Sequence, residues 1–240
     1  MTARRSGAAG IVALLLAALV FAGLIGLGVW QVQRLAWKTD LIARTEARLM
    51  AKPVPPPGAA DFAAIEAPEY MRLALTGQYL EMPSTLVQAL TVQGRGFWVV
   101  SPFISYDGQF ILINRGFIPE AARDMLPAPP RGEQRLTGLL RLSQPDGAFL
   151  RSNDPASGRW FSRDVLAIAG SLGLPQVAPW FLDLGQPGDA AAPGTLPVPG
   201  LTVVEFRNSH LGYAATWFAL AGIWAFGLFM LWRPERKATL

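Results

Sequence analysis

Two stretches of this chain contain no charged residue, and they constrain everything else it can fold into. The first runs from Ala8 to Val29 and the second from Leu211 to Trp232. A helix of about 20 residues rises about 30 Å, the thickness of the hydrocarbon core of a bilayer. The expectation is a membrane protein with two transmembrane α-helices, one N-terminal and one C-terminal, whose middle folds outside the lipid. Composition agrees: 51% of residues are hydrophobic and 16% charged, against about 25% charged in an ordinary soluble domain. The first run is longer than the apolar region of a signal peptide, about 7–15 residues, and passes into Trp30-Gln31 without a small-residue cleavage site. It reads as an uncleaved anchor.

Basic residues flank both runs: Arg4 and Arg5 before the first, Arg233, Arg236 and Lys237 after the second. Cytoplasmic flanks carry the excess of Lys and Arg, so both termini are expected to be cytoplasmic. Arg34, Lys38, Arg44 and Arg48 follow the first span on the opposite side, but long domains translocate largely regardless of charge. The organisation expected is therefore a cytoplasmic N-terminus over 1–7, a first span over 8–29, a helical extension over 30–50 and a linker over 51–60. A periplasmic β-rich domain over 61–206, a second span with its opening motif over 207–232 and a cytoplasmic tail over 233–240 complete it. The net charge of +4 is largely a product of this topology. No basic stripe with interleaved aromatics is present, so no nucleic-acid partner is expected.

Between the spans the pattern changes. Trp30, Arg34, Trp37 and Leu41 continue one helix face to about Met50, and the prolines of the segment 51–60 then break the helix. Tyr70 to Leu80 alternates apolar and polar residues. Phe97 to Ile104 and Gly108 to Ile118 are apolar β-favouring runs joined by the hairpin signal Asp107-Gly108. Arg135 to Leu142 alternates, and Leu201 to Phe206 reads as a short strand. Ser162 to Leu172 is the one expected helix, with Asp164 in its first turn. Pro127 to Gln134 and Gln186 to Gly200 read as loops. The sum predicts a β-rich antiparallel domain, barrel-like or α+β.

The residue inventory excludes much chemistry. There is no cysteine, which removes thiol redox chemistry, zinc–cysteine sites and iron–sulfur clusters. There is one histidine, His210, which removes multi-histidine metal sites. Gly94-Arg95-Gly96 lacks the lysine and the following helix of a phosphate loop. No Gly-x-Ser-x-Gly elbow accompanies His210, so a hydrolytic triad has no frame. Asp61, Glu66, Glu69, Asp146 and Asp154 are scattered and read as solvated charges. The chain is not expected to be an enzyme.

His210 stands apart, because it opens the second span in Asn208-Ser209-His210-Leu211-Gly212-Tyr213. On a helix His210, Tyr213, Ala214, Trp217 and Ala221 share a face. Two readings fit. One is an interfacial histidine among belt aromatics. The other is an axial ligand for a flat macrocycle such as haem, which a single histidine can hold. Trp30-Gln31 and Arg34 likewise read either as an aromatic belt with a snorkelling arginine or as a polar rim for a carboxylate-bearing ligand. Asn114-Arg115-Gly116-Phe117-Ile118-Pro119 ends a strand in a turn. There glycine serves an unusual φ, and Arg115 either supports the turn or faces an anionic partner.

Taken in order, these segments resemble the Surfeit locus protein 1 family. Leu27-Gly28-Val29-Trp30-Gln31 with Arg34 and Trp37-Lys38 is similar to that family's opening motif. Tyr70 to Tyr79, Gly96-Phe97-Trp98 to Pro102-Phe103 and Asn114 to Pro119 are similar to its central strands. Trp160-Phe161 with Arg163-Asp164 resembles its helix motif, and Asn208 to Phe218 its closing motif. Phe117 departs from an expected tryptophan and Ser209 from an expected asparagine. The resemblance implies an assembly factor, or chaperone, for haem-copper cytochrome c oxidase of the respiratory chain. It implies binding of haem a and help in its insertion into subunit I; the alternative is a scaffold that stabilises subunit I and binds no haem. It further implies His210 as ligand of the haem iron, with Tyr213 and Trp217 against the macrocycle and Arg34 or Arg207 meeting a propionate beside Asn208. Subunit I, the haem a biosynthetic enzyme and membrane lipid are the expected partners. With no mitochondrial transit peptide ahead of the first span, the expected location is a bacterial inner membrane.

Overall fold

One uninterrupted helix, α1 (Ala3–Met50), carries the first apolar run and continues well past it. No proline occurs within it, and Pro53 follows its end. At 1.5 Å per residue its 48 residues span about 72 Å. The computed structural model describes residues 3–148, 151–189, 192, 194–202, 204 and 206–233. The tail with Arg236 and Lys237 lies outside the described residues, as do the side chains of Arg4 and Arg5.

Two compact units result: Met1–Arg44 with Glu205–Leu240, and Thr45–Val204. In the first, α1 meets the second apolar helix, which we number α4 (His210–Trp232). Both helices are long and apolar enough to cross a membrane. Large apolar side chains such as Leu15, Leu19, Ile223 and Phe226 are bare on their surfaces, as a water-facing helix would not leave them. α4 starts at His210, the residue expected to open the second span, and Tyr213 N–H bonds the Ser209 carbonyl at 3.3 Å in its first turn.

The second unit is β-rich. After a short helix α2 (Ala59–Ala64), its strands are β1 (Arg72–Tyr79), β2 (Thr85–Thr91), β3 (Gly94–Ser105), β4 (Phe110–Pro119), β5 (Gln134–Leu142) and β6 (Trp180–Leu184). A helix α3 (Val165–Ser171) precedes β6. The order β1-β5-β6-β4-β3 closes on itself, because β1 also pairs with the end of β3 at Tyr79↔Phe103 and Gly77↔Ser105. The result is a closed five-stranded barrel. The first half of β3 uses the same edge to pair with β2, which extends the sheet beyond the barrel wall. Closure removes the unpaired edges that an open sheet would expose.

Period-two alternation divides the strands between two cores. Leu73, Leu75, Phe103, Ile111, Ile113, Leu140, Trp180 and Leu182 fill the barrel. Leu112 and Phe181, pointing the other way, join Val87, Val100, Trp160, Val165 and Ile168 in a second core beneath α3. This explains why β4 and β6 are apolar on both faces. Asp164 caps α3, its carboxylate accepting the Ala167 N–H at 3.1 Å.

Three details go beyond the expectations. The sheet is not wholly antiparallel, since β4 and β6 pair in parallel, Leu112↔Phe181 to Asn114↔Asp183. Of the expected strand Leu201 to Phe206, Val203 and Glu205 lie outside the described residues, and the others are in no strand. The segment before it pairs instead, where Val198 and Phe117 exchange both backbone hydrogen bonds at 2.8 and 2.9 Å. Gly116 permits this approach, with φ +131 and a hypothetical Cβ only 2.3 Å from the Val198 carbonyl oxygen. The linker is also part of the fold, for Val54 bridges Leu73 and accepts the Ala74 N–H at 2.9 Å.

Candidate functional site

The start of α4 comes to lie against α1 through His210 and the Arg207 carbonyl. Ala214 and Ala221 are buried in the seam between the two helices, as small residues are where helix backbones approach closely. On α1, Gly28 serves the same end, because a Cβ there would stand 2.6 Å from the Phe218 ring. Farther along the seam the indole N–H of Trp224 bonds the Ala17 carbonyl at 3.0 Å. Lys38 donates to the Arg207 carbonyl.

Within this frame Gln31 and His210 meet. His210 Nδ1 and Gln31 Oε1 are 2.7 Å apart. With the amide oxygen accepting, Nδ1 carries the proton and Nε2 keeps its lone pair for a further partner. Gln31 is only 9% exposed, so the contact is sheltered within the hairpin of α1 and α4. Gln31, expected on a rim facing a ligand carboxylate, has its carbonyl on the imidazole.

The other residues singled out are distributed differently. Arg34 stacks over Trp37 at 3.9 Å from the ring centroid, an arrangement of the cation–π kind. Trp30 and Tyr213 are exposed, Trp217 is half-buried, and Asn208 and Arg207 are exposed at the head of α4. The single face expected for α4 therefore divides: Ala214 and Ala221 face α1, while Tyr213 is 56% exposed.

Arg115 belongs to the barrel unit. Its Nη1 and Nη2 donate to the carbonyls of Pro127 and Ala128 at 2.9 and 3.3 Å, so it holds down the 127–134 loop rather than presenting a fork to an anion. Burial pulls its guanidinium below the ordinary value; burial also pushes the neighbouring Tyr79 phenol up to about 12, against the opposing pull of Arg115.

A second polar centre escaped the sequence reading. Asp183 on β6 is 2% exposed. Its carboxylate accepts from Asn114 at 2.7 Å, Thr202 at 2.9 Å, Arg141 at 3.1 Å and Arg163 at 3.2 Å. Arg141 also bonds Glu69 at 3.0 Å and stacks on Tyr70, while Arg163 stacks on Phe181. Burial opposes the charge on both arginines. For Arg141 the surrounding Asp183, Tyr70 and Glu69 outweigh it and raise the pKa; for Arg163 burial prevails over Asp183 and the pKa falls. Two carboxylates face two guanidiniums, so the cluster is neutral and internally satisfied. It ties β6, β5, β4 and Thr202 together. The only sequence sign was one acid inside the apolar run Trp180-Phe181-Leu182-Asp183-Leu184. No group of acidic or histidine side chains fit to hold a metal ion occurs among the described residues.

Comparison with known proteins agrees with the family resemblance of the motifs. The SURF1 family model matches residues 18–222. A SURF1-like protein of Monosiga brevicollis is 34% identical over 219 residues, covering 82% of this chain and 79% of its own. Surfeit locus protein 1 of Mus musculus is 35% identical over 223 residues, covering 84% of this chain and 70% of its own. That of Homo sapiens is 35% identical over 216 residues, covering 82% and 69%.

Proposed function

The chain belongs to the SURF1 family, and from that premise we propose that it is an assembly factor for haem-copper cytochrome c oxidase. It binds haem a as cargo and assists insertion of the haem into subunit I. The observation that carries this reading is the state of His210. The sole histidine of the chain has Nδ1 engaged by Gln31 at 2.7 Å, which leaves Nε2 as a neutral nitrogen donor of the kind that ligates haem iron. No cysteine competes for the metal. Trp217 and Tyr213 on the same helix offer aromatic surface to a macrocycle, and Arg34 and Arg207 offer guanidiniums to its propionates. One protein nitrogen gives an incomplete coordination shell, which suits a protein that must release what it carries.

This reading places the chain in a bacterial inner membrane, with both termini cytoplasmic and the barrel periplasmic. The basic residues outside both apolar runs support that orientation. The partners are subunit I, the haem a biosynthetic enzyme and the surrounding lipid. Chemistry on the cargo is not required, so the role is not enzymatic.

The test is the absorption spectrum of the protein purified from cells that make haem a. A haem a spectrum is expected, and His210→Ala should abolish or strongly shift it while the protein still inserts. Tyr213→Phe should alter it far less. A colourless wild-type protein that still supports oxidase assembly would overturn haem carriage in favour of a scaffold acting on subunit I.

A further inference from the structure

We propose that Gln31 is a positioning residue for His210: its side-chain carbonyl selects the Nδ1–H tautomer and thereby makes Nε2 the ligating atom. The consequence for iron rests on the reading of His210 as a haem ligand, but the tautomer is a property of the cargo-free protein.

The geometry around the pair leaves Gln31 little freedom. Gly28 lies one turn before Gln31 on α1, and its missing side chain lets Phe218 of α4 press against the helix backbone. Ala214, one turn after His210, is buried in the same seam. Small residues on both helices thus make room for the facing helix at this level. The long side chain of Gln31 is then enclosed, 9% exposed, with its carbonyl 2.7 Å from Nδ1. A sheltered carbonyl without a donor is costly, so Oε1 demands a proton on Nδ1. In water the opposite tautomer, with the proton on Nε2, is the commoner one, and that form cannot ligate through Nε2. Were the amide turned over, its NH2 would donate to Nδ1 and the proton would move to Nε2, blocking the same atom. The orientation of one amide therefore decides whether this histidine is prepared to bind iron.

The choice of an amide also has a consequence. Histidines that ligate metals usually pass their second N–H to a carboxylate, a backbone carbonyl or water, and a carboxylate makes the imidazole the stronger donor. Gln31 supplies a neutral acceptor. It fixes the ring without adding negative charge, which orients the ligand while keeping the iron–nitrogen bond weak enough for transfer.

The single histidine makes this directly measurable. Full-length protein labelled with 15N-histidine in lipid nanodiscs gives one pair of ring-nitrogen signals. In the neutral ring the wild type should show a protonated Nδ1 and an unprotonated Nε2. Gln31→Leu, close in size and apolar, should return the ring to the Nε2–H tautomer. Gln31→Glu, with an acceptor of equal reach, should restore Nδ1–H. In haem-loaded protein Gln31→Leu should weaken haem retention roughly 10–100-fold, as loss of such outer partners does elsewhere. Gln31→Glu should raise the iron–histidine stretching frequency and slow release. A wild-type ring protonated at Nε2, or an Nδ1–H form unchanged by Gln31→Leu, overturns the inference even if haem binds through His210. If Gln31 controls the tautomer and no variant binds haem, the positioning stands and the haem-carrier reading falls.

Discussion

Replacing Asp183 by Asn tests whether the buried charge cluster holds the barrel together. The substitution preserves shape and removes one negative charge. In the native protein the Asp183 carboxylate accepts from Arg141, Arg163, Asn114 and Thr202. Its side chain is 3% exposed, and those of Arg141 and Arg163 are 11% and 12% exposed. After the change Arg141 still has Glu69 at 3.0 Å. Arg163 keeps only neutral acceptors, the Gln144 oxygen at 3.2 Å and the new amide oxygen, and the faces of Phe181 and Trp98. The deficit is therefore close to one buried guanidinium without a counter-charge. Breaking a buried ion pair from one side costs about 3–5 kcal/mol. At about 2–4 °C per kcal/mol for a protein of this size, the barrel should melt roughly 6–20 °C lower. Near-ultraviolet circular dichroism of the detergent-solubilised full chain, followed with temperature, reads this transition. Arg163→Met in the Asp183→Asn background should recover part of the loss, because it removes the stranded charge. A single Asp183→Asn variant melting within about 2 °C of the parent would refute the reasoning.

Three further outcomes follow from the structure. Gly77 lies where β1 meets β3 to close the barrel, and an added Cβ would come 2.1 Å from the Ile104 carbonyl oxygen; Gly77→Ala should cost about 1–3 kcal/mol in denaturant unfolding, and an unchanged midpoint would mean the seam yields freely. Tyr79 has its phenol pushed up from 10.0 to about 12 by burial, so the folded state retains a proton that the unfolded chain releases first. The stability it protects is complete below pH 10 and should fall by about 2–3 kcal/mol as pH rises to 12, and Tyr79→Phe should flatten that limb of the pH–stability curve. Val92, 85% exposed at the tip of the β2–β3 hairpin, is a site for topology: with no native cysteine, Val92→Cys should react with an impermeant maleimide in intact cells, while cysteines placed at Ser6 and Thr239 should not; labelling at either end overturns the proposed orientation.

Some features of this protein were decided locally and could be read from the chain. The apolar runs are such a case: a span must satisfy its own backbone and present apolar side chains along its whole length, so the property is written continuously in residues 8–29 and 211–232. The extension of α1 to Met50, the Asp107-Gly108 hairpin and the helix near Asp164 are equally local, each depending on residues within a turn or two. The family motifs were legible for the same reason, as short ordered strings. What the sequence could not show are the pairings between distant segments. β6 is five residues of unbroken apolar pattern around one acid, and only the barrel, with β4 on one side and β5 on the other, makes it a strand. Asp183 looked like an intrusion until Arg141, Arg163 and Asn114 were brought to it from separate elements. Gln31 and His210 are farther apart still, and each was read beside its neighbours in sequence. Their hydrogen bond exists because Gly28 and Ala214 allow two helices to close on one another, and packing of that kind is a property of the folded pair of helices and of neither segment alone.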